Sequence, residues 1–121
     1  DNIMITYANQ RIIKIKRDEA GENEPCLKVS IDSIKEACQK ITNLSEMKVW
    51  LYLVSKDDGE DLAFSSKDAS EATGLSANSI REGINSLIKK GFITEALGKS
   101  ENRYVFREVP SDYPVLDFIM E

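Results

Sequence analysis

The sequence predicts an α+β fold, with a helical core, a small antiparallel hairpin after it and a β-rich N-terminal extension. Two short helical patterns lie on either side of Gly74-Leu75-Ser76, and two alternating segments follow them with Gly98-Lys99 in between. Alternation of apolar and polar residues over 3–17 is typical of strands. A length of 121 residues with 41% hydrophobic residues suits one domain with one core.

The residue types that most metal sites and nucleophilic active sites need are scarce. The chain has no histidine, which excludes imidazole ligands and Ser-His or Cys-His pairs. Gly98-Lys99 lacks the upstream glycine of a phosphate loop, and the carboxylates of 57–61 lack the spacing of a calcium loop. We therefore predict no catalytic residue, no metal site and no cofactor, and we do not expect an enzyme.

Two further features bear on the compartment. No apolar run approaches the ~20 residues that span a bilayer, and the chain does not open with a secretory leader. Cys26 and Cys38 are too few for a disulfide framework. We therefore expect a cytoplasmic protein that does not associate with membranes.

Charge is distributed unevenly along the chain. The net charge of -5 disfavours indiscriminate binding to nucleic acid. Residues 76–107 nevertheless contain six basic and three acidic residues, a net charge of +3, so that the rest of the chain carries −8. A local basic surface on an acidic body can still attract phosphate groups.

Residues 1–30 form the predicted N-terminal extension. Residues 3–17 have the two-residue period of half-exposed strands, and a turn at 8–10 would fold them into a hairpin. Four basic residues give this segment a positive edge: Arg11, Lys14, Lys16 and Arg17. Such an edge can be an arm that contacts phosphate, or a solvated strand whose charges prevent edge-to-edge association.

Two amphipathic helices should open the main domain, which we place at residues 31–109. The first, Asp32–Lys40, has apolar residues at helical spacing that we expect in the core: Ile31, Ile34, Ala37, Cys38 and Ile41. The second should have Ser45 as its N-cap, with a hydrophobic staple between Leu44 and Val49. Its apolar residues occupy more than one side, as in a central scaffold helix: Met47, Val49, Trp50, Leu51, Leu53 and Val54.

A short strand and a short helix should come next. Leu62-Ala63-Phe64 alternates like a first strand that pairs with the later hairpin. Ser65 should cap a helix over Lys67–Thr73, with Asp68 placed as in a capping box.

A three-residue turn should join that helix to the helical pattern of Ala77–Lys90. Gly74 can adopt the positive φ that ends the first helix, Leu75 fills the space between the helices, and Ser76 caps the second. One face of the second helix is apolar: Ile80, Ile84, Leu87 and Ile88. Polar residues occupy the opposite face and its flanks: Asn78, Ser79, Arg81, Glu82, Asn85, Ser86 and Lys89.

The polar face of Ala77–Lys90 is the predicted DNA-reading surface. In a major groove, asparagine can pair with adenine, arginine with guanine, and glutamate can accept from cytosine. The same residue types also occur on solvated helices, but the elements around this helix favour DNA. Glu82 repels phosphate unless it meets a cytosine. Gly83 lowers helix stability by roughly 1 kcal/mol relative to alanine, which indicates close approach of a neighbouring element.

Gly91 should end this helix, and strands over 92–97 and 103–107 should pair through a turn at 98–102. Lys99 and Arg103 near its tip can contact a minor groove or a phosphate, or they can be solvated. A helix-turn-helix followed by such a hairpin is a winged helix-turn-helix, with the hairpin as its β-wing. That is the fold we predict for the main domain.

Residues 44–109 resemble the winged helix-turn-helix superfamily of bacterial, phage and plasmid DNA-binding proteins, especially small domains of replication or regulatory proteins. The resemblance lies in Gly74-Leu75-Ser76, in S-I-x-x-x-I-x-x-L-I-x-x-G-F-I over 79–93, and in Tyr104-Val105-Phe106. It implies DNA contacts from Ser76, Asn78, Ser79, Arg81 and Asn85, with Lys99 at the wing. The chain departs from the usual pattern in having few basic residues early in the helix, and Gly83 where alanine is common.

The tail, residues 110–121, is rich in apolar side chains. Pro110 and Pro114 rule out a helix through its first half. Its apolar residues should pack on the domain, on the N-terminal extension or on a second subunit, unless the tail begins a further element of a longer protein. We expect a homodimer formed through the extension or the tail.

The predicted function is sequence-specific binding of double-stranded DNA, in control of transcription or replication of an element such as a plasmid or phage, with the 77–90 helix in the major groove. The predicted DNA-binding residues are Ser76, Asn78, Ser79, Arg81, Glu82, Asn85, Lys89, Lys99 and Arg103. The alternative is a winged-helix protein-interaction module of a replication or partition complex. That alternative is favoured by the acidic total charge, by Glu82 and by the apolar tail.

Overall fold

Four helices and a two-stranded antiparallel sheet form the described part of the chain, which confirms the predicted α+β class. The computed structural model describes residues 10–56, 62–96 and 103–110. The helices are α1 (Ile31–Lys40), α2 (Leu44–Val54), α3 (Ser66–Thr73) and α4 (Ala77–Lys90), and the strands are β1 (Ile93–Glu95) and β2 (Tyr104–Phe106). The strands pair with Thr94 opposite Val105, an arrangement compatible with a wing after α4.

Helix α2 is the central element of the core, as predicted. It packs mainly against α4 and also against α3. Val49 is fully buried and Trp50 is nearly so, and the Trp50 indole N–H donates to the Glu108 carbonyl across 3.2 Å. Burial of a large apolar side chain stabilises the fold by roughly 1.5–3 kcal/mol. The indole bond also ties the chain after β2 to the scaffold helix.

Helix α2 begins at Leu44 rather than after Ser45, so the predicted cap and staple are wrong. The N-cap is Asn43, whose side-chain oxygen accepts from the Glu46 amide at 2.9 Å. The Glu46 carboxylate accepts in return from the Asn43 side-chain amide at 3.3 Å. Leu44 lies in the helix with 67% of its surface exposed. The reciprocal pair of N-cap and third helical residue outcompetes a lone serine, because it satisfies two groups together.

The predicted core face of α1 is confirmed at Ala37 and Ile41 and is wrong at Ile31, Ile34 and Cys38. Its buried residues are Ser33 and Ala37, followed by its C-cap Ile41. Ile31 is 71% exposed, Ile34 is half exposed, and Cys38, predicted to be in the core, is exposed. Ser33 and Ala37 lie one turn apart, so they and Ile41 form the buried side of α1. Cys26 is also exposed, and both cysteines are free thiols.

Two predicted β segments do not form strands. Leu62-Ala63-Phe64 has no strand pairing, and the Phe64 ring instead packs edge-on against Tyr52, with 6.0 Å between ring centroids. Residues 10–30 contain no strand and are almost entirely exposed, so the described part of the N-terminal extension is not β-structured. Residues 1–9, and with them half of the predicted hairpin, lie outside the described residues.

The caps predicted around the 74–76 turn are confirmed. Ser65 accepts from the Asp68 amide at 3.1 Å, and Ser76 accepts from the Ser79 amide at 3.1 Å. Gly74 ends α3 with a φ of 78°, a conformation that a side chain would strain. Gly91 ends α4 in the same way, and Leu75 packs against the core.

A polar cluster ties the end of α2 to the first turn of α3. The Tyr52 hydroxyl donates to the Asp68 carboxylate, and the Lys56 ammonium lies 3.3 Å from the same oxygen and 5.2 Å from the Tyr52 ring centroid. Burial, reinforced by the bond to Asp68, raises the pKa of Tyr52 to about 12. The hydrogen bond from Tyr52, followed by Lys56, lowers the pKa of the Asp68 carboxyl. The cluster thereby fixes the start of α3 against the scaffold helix.

We expect this cluster to contribute stability within a defined pH range. The Tyr52 contribution is present below its ordinary pKa of 10.0 and is lost as pH rises through about 12. The Asp68 contribution is present above 3.8 and is lost as pH falls through the lowered pKa. Stopped-flow pH jumps, read by tyrosinate absorbance, should show that one of the four tyrosines ionises at a higher pH than the other three. Tyr52→Phe should remove this high-pH absorbance change. Simultaneous ionisation of all four near pH 10 would contradict this expectation.

Candidate nucleic-acid interface

The polar stripe of α4 faces outward because the opposite side of the helix is held in the core. Ile80 and Leu87 are buried as predicted, whereas Ile88, expected on the same face, is 39% exposed. The outward side chains recur every three or four residues over roughly 16 Å of helix, longer than a major groove is wide. This polar stripe consists of Asn78, Arg81, Glu82, Asn85 and Lys89, all exposed.

Ser76 and Ser79, two of the predicted DNA contacts, already bond to each other at the start of α4. The Ser76 hydroxyl accepts from the Ser79 amide, and it donates to the Ser79 hydroxyl at 3.2 Å. Ser79 is half-buried, while Ser76 is exposed. Their main local role is to fix the helix end. The two serines are thus engaged in capping the helix on which the polar stripe lies.

Asn78 links the two charged residues of the stripe. Its side-chain oxygen accepts from the Arg81 guanidinium, and its amide nitrogen donates to the Glu82 carboxylate at 3.3 Å. All three side chains are exposed. Hydrogen bonds and ion pairs at such a surface contribute little net stability, so a ligand can replace them without a large penalty. Asn78 is thus a shared hydrogen-bond partner of Arg81 and Glu82 at the centre of the stripe.

Asn85 and Lys89 extend the stripe toward the end of α4. Within the described part of the chain, neither side chain makes a hydrogen bond or an ion pair. An asparagine amide offers one acceptor and two donor hydrogens, and the lysine offers a mobile positive charge. These two side chains are available to a ligand with no internal contact to break.

Lys90, counted among the basic residues of 76–107, serves the interior instead. Its ammonium donates to the Lys40 carbonyl at 2.9 Å, to the Thr42 hydroxyl at 3.2 Å and to the Glu46 carboxylate at 2.9 Å. Glu46 is completely buried, so this ion pair joins α4 to α2 below the surface. The charge that α4 offers to a ligand is therefore smaller than the sequence total implies.

Gly83 sets the distance between α4 and the scaffold helix. A Cβ atom at this position would lie 2.8 Å from a methyl carbon of Val49 and 3.1 Å from the Ser45 carbonyl oxygen. Both distances are shorter than ordinary van der Waals contact. The predicted close approach of a neighbouring element at Gly83 is confirmed, and that element is α2.

The hairpin residues of the predicted site are described only in part. Arg103 is exposed and immediately precedes β2, and its carbonyl accepts from the Ala96 amide at 2.9 Å. Lys99 lies in 97–102, outside the described residues. Arg107 is also exposed and immediately follows β2, and its amide donates to the Phe92 carbonyl at 2.9 Å. Arg103 and Arg107 thus add positive charge to the element that follows α4.

The described residues, 10–56, 62–96 and 103–110, contain no helix with the length and apolarity needed to cross a membrane. They also contain no group of three or more metal-ligating side chains. Comparison of the chain with models of protein families, with curated proteins and with solved structures gave no match. The inference of function therefore depends on the residues of this chain.

Proposed function

We propose that the chain binds double-stranded DNA in a sequence-specific manner, as a winged helix-turn-helix with α4 in the major groove. The observation that carries the proposal is the exposed polar stripe on a helix whose other side is fixed in the core. A rigid helix keeps its side chains at constant spacing, which base recognition requires. The three-residue turn before α4 and the hairpin after it match the elements that accompany a recognition helix.

The electrostatics of the stripe favour selective binding over tight binding. Its exposed charges are Arg81 and Lys89 against Glu82, because Lys90 is engaged with Glu46. A weak local field supplies little of the sequence-independent affinity that phosphate contacts provide. Two copies on adjacent half-sites would double the number of contacts, so we propose that the chain binds as a homodimer. Control of transcription or replication is the role that fits a selective DNA-binding protein of this kind.

We expect Arg81→Ala and Asn85→Ala each to weaken binding to the preferred duplex by about 1–3 kcal/mol, or roughly 5- to 150-fold. Binding to random duplex should change much less, because a base contact discriminates and a phosphate contact does not. Duplexes selected from a random pool, followed by anisotropy titrations at fixed salt, would measure both affinities.

Lys35→Ala and Gln39→Ala are suitable controls, because both residues are exposed on α1 and belong to neither the stripe nor the hairpin. They should leave the ratio of selected to random affinity unchanged. Failure of the wild-type chain to enrich any duplex at low salt would overturn the proposed function. Enrichment that survives both α4 substitutions would place the reading surface elsewhere.

The alternative, a protein-interaction module, is favoured by one observation. Apolar side chains are exposed on the outer sides of α1 and α2, among them Ile31 at 71%, Leu44 at 67% and Leu51 at 53%. Exposed apolar surface of this kind often marks a protein contact. Co-purification together with light scattering separates the two proposals, because a chain that stays monomeric, recovers no protein partner and binds DNA would exclude the module.

A further inference from the structure

Residues 11–17 form the most basic seven-residue segment of the chain. They contain Arg11, Lys14, Lys16 and Arg17 and no acid, so the remaining residues carry −9 against the total of -5. All four side chains are exposed, and the segment belongs to no helix or strand. Within the described residues, none of the four makes a hydrogen bond or an ion pair. This segment, the basic arm, is therefore a concentrated positive charge with no internal use.

Several basic residues of the folded domain, unlike those of the arm, form ion pairs or hydrogen bonds within the protein. They are committed to partners that stabilise the fold: Lys40 to Glu36 at 3.4 Å, Lys48 to the Thr73 carbonyl at 3.1 Å, Lys56 to Asp68 at 3.3 Å and Lys90 to Glu46 at 2.9 Å. Charges held in this way offer less to an external anion. The available positive charge is concentrated in the arm rather than beside α4.

The chain between the arm and the domain is long enough to carry the arm around it. Residues 18–30 precede α1, contain no helix or strand and are exposed with the single exception of Val29. Thirteen residues can span at most roughly 43–47 Å when extended. That length is several times the radius of gyration of a small domain, which is about 13 Å for 100 residues. The arm can therefore reach a polyanion bound to another face of the protein.

We infer that the basic arm is a second DNA-binding element, which contacts backbone phosphates while α4 reads bases; the inference rests on the proposed function. Extended over seven residues, the arm covers roughly 20 Å, and a duplex presents one negative charge per ~1.7 Å of its axis. Each phosphate contact releases counterions, which gives affinity without regard to sequence. The arm thus supplies the electrostatic affinity that the polar stripe lacks.

A duplex suits the arm better than a broad anionic surface such as a membrane. Four acids follow the arm directly: Asp18, Glu19, Glu22 and Glu24. A flat negative surface in contact with the arm would bring these acids and the acidic domain close to it and repel them. A narrow backbone can be followed by the arm while the acids remain in solvent, where the Glu24 carboxylate accepts from the Gly21 amide at 2.7 Å.

The test is the salt dependence of binding by the full chain to a random-sequence duplex of about 30 base pairs. The variants are Arg11→Gln/Lys14→Gln/Lys16→Gln/Arg17→Gln and the smaller Lys14→Gln/Lys16→Gln. The matched control is Lys28→Gln/Lys35→Gln, which removes two exposed charges outside the arm and the stripe. Each phosphate contact contributes about 0.9 to the steepness of log affinity against log salt. The steepness should therefore fall by about 3.6 in the fourfold arm variant and by about 1.8 in the double arm variant, and by about zero in the control.

Preference for the selected duplex over the random one should persist in both arm variants, since the arm reads no bases. Slopes for the arm variants equal to that of the control would overturn the inference and leave the proposed function intact. An arm-dependent slope without enrichment of any sequence would support the arm and overturn base reading by α4. Weak wild-type binding to duplex, together with arm-dependent binding to anionic vesicles or arm-dependent self-association in light scattering, would overturn the inference.

Discussion

Replacing Lys90 by alanine should destabilise the folded chain by about 3 kcal/mol, the lower end of the range for loss of one partner of a buried ion pair, because the Lys90 side chain is itself 26% exposed. The Glu46 carboxylate has no exposed surface, and its ion pair with Lys90 measures 2.9 Å. Its second oxygen is also buried and accepts no hydrogen bond within the described residues. Without the ammonium, Glu46 retains only the Asn43 side-chain amide as a donor to its carboxylate. A buried charge with so little compensation is strongly unfavourable.

Urea unfolding measures this loss, and Lys89→Ala is the matched control. Lys89 is the neighbouring lysine, but its side chain is exposed, so its substitution should change stability by less than about 0.5 kcal/mol. Lys90→Met combined with Glu46→Gln should be less destabilised than the two single changes added together, because the double variant leaves no unpaired charge. Equal stability of Lys89→Ala and Lys90→Ala would show that the pair contributes nothing.

The contrast between these two lysines marks the limit of what sequence predicts at the candidate site. Exposure of Asn78, Arg81 and Asn85 follows from helical periodicity once the apolar face is known. The partner of Lys90 is 44 residues away along the chain, at a distance over which periodicity carries no information. Asn43 and Glu46 did offer a local signal, since their spacing is that of a reciprocal N-cap. That signal identifies the carboxylate but not the lysine that neutralises it.

The same distinction explains which parts of the fold were predicted correctly. Caps and helix ends depend on contacts three or four residues apart, and those at Ser65, Gly74 and Ser76 were all predicted. The orientation of α1 depends on the surface it packs against. Hydrophobicity selects Ile31 and Ile34 together with Ala37 and Ile41, yet only Ala37 and Ile41 of these are buried, alongside Ser33. Hydrophobic spacing locates a helix, but the surface that the helix meets determines its rotation.

Gly83→Ala should destabilise the chain by up to about 2 kcal/mol, although the same change stabilises an isolated helix. Alanine favours the helix by roughly 1 kcal/mol over glycine. Against this, the new methyl group would lie 2.8 Å from Val49, which is fully buried, and 3.1 Å from the Ser45 backbone. Overpacking of a tight contact costs about 1–3 kcal/mol, and backbone on one side limits relief by rotation of a side chain. The packing term should therefore decide the sign.

Thermal unfolding in two backgrounds separates these terms. In a Val49→Ala chain, the methyl group at position 83 has more room, so Gly83→Ala should be far less harmful there and can become stabilising. Asn85→Ala, on the exposed side of the same helix, gains helix propensity without any new contact and should be neutral or stabilising. An increase in stability for Gly83→Ala in the wild-type background would mean that α4 does not approach α2 closely. The polar stripe would then lack the rigid support on which the proposed reading of bases depends.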